Sequence, residues 1–130
     1  MADSVPLLGL YMPQNNAYKI QIENANPSTG TINGLYEPQE SPQPFPSQPG
    51  VIGHYAWVTN AQGQNGVPPF SINFYVSVRP AGWPYCLTDT WNGAYQAGNS
   101  MLLAGTRAYV NNQGVVQVTS LGTLTFLWVQ

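Results

Sequence analysis

Charge is what this sequence has least of. Charged residues make up 6% of its 130 positions, against about 25% in an ordinary globular chain. The only basic residues are Lys19, Arg79 and Arg107. They are too few to neutralise a phosphate backbone, which excludes nucleic acid as a partner. The formal net charge of −2 gives no field that would steer a charged ligand. Cysteine and histidine are as scarce. Cys86 and His54 stand alone, so no intrachain disulfide can form and a Cys/His metal site cannot be closed. Neither a metal nor a cofactor is expected. The same pair is a poor nucleophile and base, since no acid motif supports His54, and the chain does not read as an enzyme. No apolar run is long enough to span a bilayer, so no membrane partner is expected. The start, "MADSVPLLGLY", lacks a basic region followed by an apolar segment. That suggests a cytoplasmic protein or a processed secreted one, and leaves the compartment open.

In place of charge there are amides, hydroxyls and aromatics. Prolines and glycines cut the chain into short segments rich in β-branched and aromatic residues, which read as strands. They fall at 7–12, 17–23, 30–36, 50–58, 70–78, 85–96, 100–110 and 115–129. Alternation is clear in "YKIQI", where Tyr18, Ile20 and Ile22 face one way and Lys19 and Gln21 the other. The connections "NANPSTG", "NAQGQNG", "PAGWP", "AGN" and "NNQG" carry turn chemistry. No segment has a 3.6-residue period. The length suits one all-β domain over 1–130, either an eight-stranded antiparallel up-and-down barrel or a sandwich. The proline-rich stretch 37–50 is a stiff surface connection or, with Phe45 at its tip, a lid over a barrel mouth. "SMLLA" and "LTFLWV" are apolar on both faces, which in a small barrel calls for a second subunit on the outside. A homo-oligomer, dimer or tetramer, is therefore expected, with Trp128 as a candidate contact.

Spaced Gly-x-aromatic motifs carry a resemblance. They are "GLY" at 9–11, "GLY" at 34–36, "GHY" at 53–55, "WNGAY" at 91–95 and "SLGTLTF" at 120–126. In order and spacing they are similar to the avidin and streptavidin family, over nearly the whole chain. The resemblance implies an avidin-like barrel that binds a small neutral ligand in its cavity without catalysis. It places Tyr36 at the phenol that meets a ureido oxygen, Trp91 at a sixth-strand aromatic wall, and Phe70 at a fifth-strand wall. Several family polar groups are replaced. Pro13 stands for an asparagine, Ala17 and Pro38 for serines, and Leu124 for the aspartate that completes the ureido cradle. Leu87 and Asp89 stand where the family has serine and threonine, and "GVVQV" at 114–118 has no counterpart of the tryptophan lent by a neighbouring subunit. Those losses imply weak biotin binding or a different ligand. Gln14, Asn15 and Asn16 are candidate replacement donors from the first loop.

Period-two geometry adds Asp89, which shares a strand face with Trp91, while Thr90 and Asn92 face the other way. If Asp89 contacts ligand, Asp89→Asn should weaken binding and leave stability almost untouched. Two alternatives stay open. A lectin-like carbohydrate-binding protein would suit the aromatics and amides, with Trp83 on an exposed loop. A structural or storage protein would have its barrel filled by its own side chains.

Overall fold

A computed structural model describes residues 6–38, 48–57, 69–78, 82, 84–96 and 99–129. Strands β1 (Gly9–Pro13), β2 (Tyr18–Asn26), β3 (Thr31–Pro38), β4 (Gln48–Ala56), β5 (Phe70–Val78), β6 (Tyr85–Gln96), β7 (Ser100–Asn111) and β8 (Val116–Val129) follow one another round the sheet. Each pairs antiparallel with its neighbours, and β8 closes on β1. The architecture is an all-β, eight-stranded up-and-down barrel rather than a sandwich, with no helix among the described residues.

The alternation seen in the sequence sets which side chains enter. Tyr18, Ile20 and Ile22 of β2 are buried, as are Phe70, Ile72, Phe74, Val76 and Val78 of β5. On β6, Leu87, Asp89, Trp91 and Tyr95 are buried, and Thr90 and Asn92 are exposed. Turns use the residues their dihedrals require. Asn16 and Asn99 take left-handed φ values of 57° and 54°, a conformation asparagine tolerates well. Strand β4 begins at Gln48, inside the proline-rich stretch. The rest of that stretch, 39–47 with Phe45, lies outside the described residues, as does Trp83.

Two aromatic layers fill the inside. Toward the end where β2, β4, β6 and β8 finish, Phe70 stacks on Tyr95 at 4.7 Å, with Tyr55 at 5.3 Å from Phe70 and Tyr11 at 6.2 Å from Tyr95. Tyr11 donates to the Leu7 carbonyl at 2.7 Å and shares a hydrogen bond with Tyr95, whose hydroxyl reaches Asn99. Nearer the other end, Trp91 packs edge-on to Tyr18 at 4.8 Å and to Phe126 at 5.1 Å. Gly105 makes room for the indole, because a Cβ there would lie 2.6 Å from the Trp91 ring.

The wall is uneven. β1 pairs with β8 only from Phe126 to Val129. Residues 115–120 are exposed at every position, and Val116 and Val118 are 70% and 73% accessible. The hairpin of β7 and β8 thus runs on past the closed part of the barrel. The expected apolar character on both faces of the last strand holds only in part. Phe126 is buried, Leu127 and Val129 face out, and Trp128 donates its Nε1–H to the Leu8 carbonyl of its own chain at 3.2 Å. Trp128 is therefore tied to its own N-terminal segment.

Gly105→Ala should destabilise the barrel by about 1–3 kcal/mol through overpacking against Trp91. A fall in the urea midpoint with an unchanged slope is the expected result.

Candidate functional site

The inward residues of β6 and β7 meet in register. Leu87 lies opposite Tyr109, Asp89 opposite Arg107, and Trp91 opposite Gly105. The Arg107 Nε and Nη2 donate to the Asp89 Oδ1 and Oδ2, each at 2.7 Å. Both side chains are almost completely buried, at 1% and 0% accessibility. From β3, the Tyr36 hydroxyl donates to the Asp89 Oδ2 at 2.7 Å, and the phenol oxygen accepts the Trp91 Nε1–H at 3.1 Å. Tyr18 stacks parallel to Tyr36 at 6.4 Å. The result is a bonded chain of indole, phenol, carboxylate and guanidinium inside a ring of aromatics.

Burial shapes the acid–base state of this cluster. It pushes the Tyr36 phenol far above its ordinary range, and the neighbouring Asp89 charge pushes the same way. Tyr36 is therefore a lasting donor. Burial alone would lower the Arg107 pKa, but the hydrogen bonds and charge of Asp89 outweigh it, and the net shift is upward. A paired, hydrogen-bonded charge is the form in which an interior tolerates ions.

Of the residues singled out in the sequence, Tyr36, Asp89 and Trp91 come together here. Phe70 does not join them. It pairs with Tyr95, four residues along β6 from Trp91, which is about 13 Å at the usual strand rise. Phe74 is the β5 residue opposite Trp91. Gln14, Asn15 and Asn16 form the turn between β1 and β2 and are exposed. The Asn15 Oδ1 accepts the Ala17 amide at 3.0 Å. Gln14 and Asn15 line an outer groove of about 490 Å³ together with Thr123, Leu124 and Thr125. Leu87 and Asp89 are inward, as their alignment to polar family positions implied, but Asp89 bonds to side chains of its own barrel.

Arg107 is the residue that sequence reasoning missed. Both faces of "SMLLAGTRAYV" are apolar around it, so alternation gave no phase. The hairpin register held the signal. The hairpin pairs Gln96 with Ser100, and seven residues farther along each strand Asp89 meets Arg107. The sequence also led us to expect that Asp89→Asn would spare stability. The buried ion pair overturns that, because the substitution removes the anion facing a buried guanidinium.

No protein-family model matches the chain, and no curated protein matches it. Solved structures do match. Core-bradavidin is 21% identical over 95% of this chain and 100% of its own, with a TM-score of 0.62. Apo shwanavidin is 18% identical over 99% of this chain and 100% of its own, with a TM-score of 0.58. A biotin-binding protein from chicken is 14% identical over 99% and 100%, with a TM-score of 0.55. The fold is avidin-like.

Breaking the pair from one side should cost about 3–5 kcal/mol, and replacing both partners by apolar residues should cost far less. We expect Asp89→Asn and Arg107→Met each to lower the urea midpoint strongly, and Asp89→Leu/Arg107→Met to recover most of the loss. A double variant as unstable as the sum of the singles would show that the two side chains act independently.

Proposed function

We propose that this chain is a non-catalytic, small-ligand-binding barrel of avidin type, taking a neutral ligand at the end where β1, β3, β5 and β7 finish. One observation carries the reading. Tyr36 from β3 meets Asp89 and Trp91 from β6 in one bonded cluster below that end. Concave aromatic sites with a few convergent polar groups are the usual form of a small-molecule site. The avidin-like fold supports the reading, since one protein of that shape is a biotin-binding protein.

Biotin itself should bind weakly. The Tyr36 hydroxyl already gives its proton to Asp89 at 2.7 Å and accepts from Trp91. A ureido oxygen would have to compete with a charge-assisted bond worth about 1.5–3 kcal/mol. Pro13, Ala17 and Leu124 add no side-chain hydrogen-bonding group where the family offers one.

A second reading, that of a barrel filled by its own side chains, is favoured by the packing. Tyr11, Tyr18, Tyr36, Phe70, Trp91 and Tyr95 are all at most 5% accessible. Titration of tryptophan fluorescence with biotin and with a glycan panel separates the two, with Trp91→Phe as control. Saturable quenching lost in the control supports the ligand-binding barrel. Silence toward every compound supports the filled barrel. A biotin dissociation constant near 10⁻¹³ M, about the limit of known complexes, would show that Tyr36 is released to the ligand.

Self-association into a dimer or tetramer belongs to the same proposal. The outward residues of β7 and β8 include Leu102, Val110, Val118 and Leu127, accessible at 43%, 42%, 73% and 42%, and these strands carry no outward charge. Light scattering should give a mass above 14.1 kDa, and Leu127→Lys should reduce it. A monomer at micromolar concentration would refute this contact.

A further inference from the structure

Above the ion pair, the inward faces of β6 and β7 continue to a second aromatic pair. Tyr85 and Tyr109 stack with ring centroids 5.4 Å apart and planes 29° from parallel. Burial falls away along this line. Trp91 and Asp89 are sealed, Leu87 is 3% accessible, and both tyrosines are only half-buried. Tyr85 still packs against the core cluster, so the ledge is anchored from below.

Strand β8 flanks the ledge. Gln117 lies opposite Tyr109, and Thr119 lies opposite Arg107. Directly opposed residues of antiparallel strands share a face. Both are exposed, because β1 covers β8 only from Phe126 onward. An aromatic face, an amide that donates and accepts, and a hydroxyl that does both thus lie side by side at the barrel end. Among the described residues, the charges on these inward faces, Asp89 and Arg107, are bonded to each other.

We propose that the Tyr85–Tyr109 ledge, with Gln117 and Thr119 beside it, is a contact site for the ring of a neutral hydroxylated ligand, of which a pyranose sugar is the class. It rests on the reading that this end of the barrel takes a small ligand. Such a ring has a C–H face that lies flat on a tyrosine and edge hydroxyls that need partners of both kinds. Tyrosine suits this role because its phenol tolerates water at one end while the ring face is covered. A neutral ligand suits the ledge, since among the described residues its inward faces carry only the mutually bonded Asp89 and Arg107.

Saturation-transfer NMR with a panel of methyl glycosides at millimolar concentration tests the site. Tyr85→Leu/Tyr109→Leu keeps apolar bulk, and Gln117→Ala alters only an exposed side chain. We expect transfer concentrated on one face of the sugar ring. Affinity should fall at least about tenfold in the tyrosine variant, equivalent to about 1.4 kcal/mol, and severalfold in Gln117→Ala. If no glycoside gives transfer, the ledge is not a sugar site, and the barrel reading is judged separately by the biotin titration. If a glycoside binds with the same affinity in both variants, the ledge is again refuted while the ligand-binding barrel stands. If the tyrosine variant misfolds, an unchanged affinity in Gln117→Ala overturns the proposal.

Discussion

A bidentate ion pair, Arg107 to Asp89, sits inside a barrel whose other interior groups are almost all aromatic or aliphatic. Neither charge could be buried alone, and each fixes the other's rotamer. Their bonds then set the neighbours. The Tyr36 hydroxyl must point at the Asp89 Oδ2, and the Trp91 indole must present its N–H to the phenol. Gly105, on β7 two residues before Arg107, leaves the space the indole occupies. A change at either charge is therefore felt through four side chains on three strands. Pairs of this kind add little net stability over an apolar substitute, yet they fix geometry well.

That arrangement bears on what the barrel can hold. An avidin-like scaffold that offered its third-strand phenol to a ligand would bind a ureido oxygen. Here the phenol is held by the protein's own carboxylate. The proposed contact for a ligand therefore lies farther out, at the half-buried Tyr85–Tyr109 stack near the barrel end. Two aromatic layers lie below that point, within one core cluster that also holds Phe74, Met101 and Leu103. The lower layer is closed by the Tyr11 and Tyr95 hydroxyls, which tie Leu7 and Asn99 to the barrel.

The scarcity of charge has a matching consequence outside. Outward residues of β7 and β8 are small, hydroxylated or aliphatic, with no lysine or carboxylate to keep a second surface away. Exposed edges and faces of sheets are normally protected by such groups. The proposed self-association rests on this uncharged surface.

The sequence by itself determined the strands, the turns among the described residues and most of the inward faces, because those depend on period two and on residues with special dihedrals. The stretch "NAQGQNG" at 60–66 and most of "PAGWP" and "AGN" lie outside the described residues. Tyr18, Ile20 and Ile22, and Asp89 with Trp91, fell on the faces their spacing dictates. Closure of the sheet, the level at which each side chain meets its neighbours, and the partner of each polar group were decided only by tertiary structure. Phe70 and Trp91 both point inward but lie in different layers, since level depends on strand register across the barrel. Arg107 gave no local sign of direction, because the residues on either side of it suit either face. Asp89 was legible as an inward carboxylate. Whether it would meet a ligand or a guanidinium depended on a residue eighteen positions away, brought opposite it by the register of a hairpin.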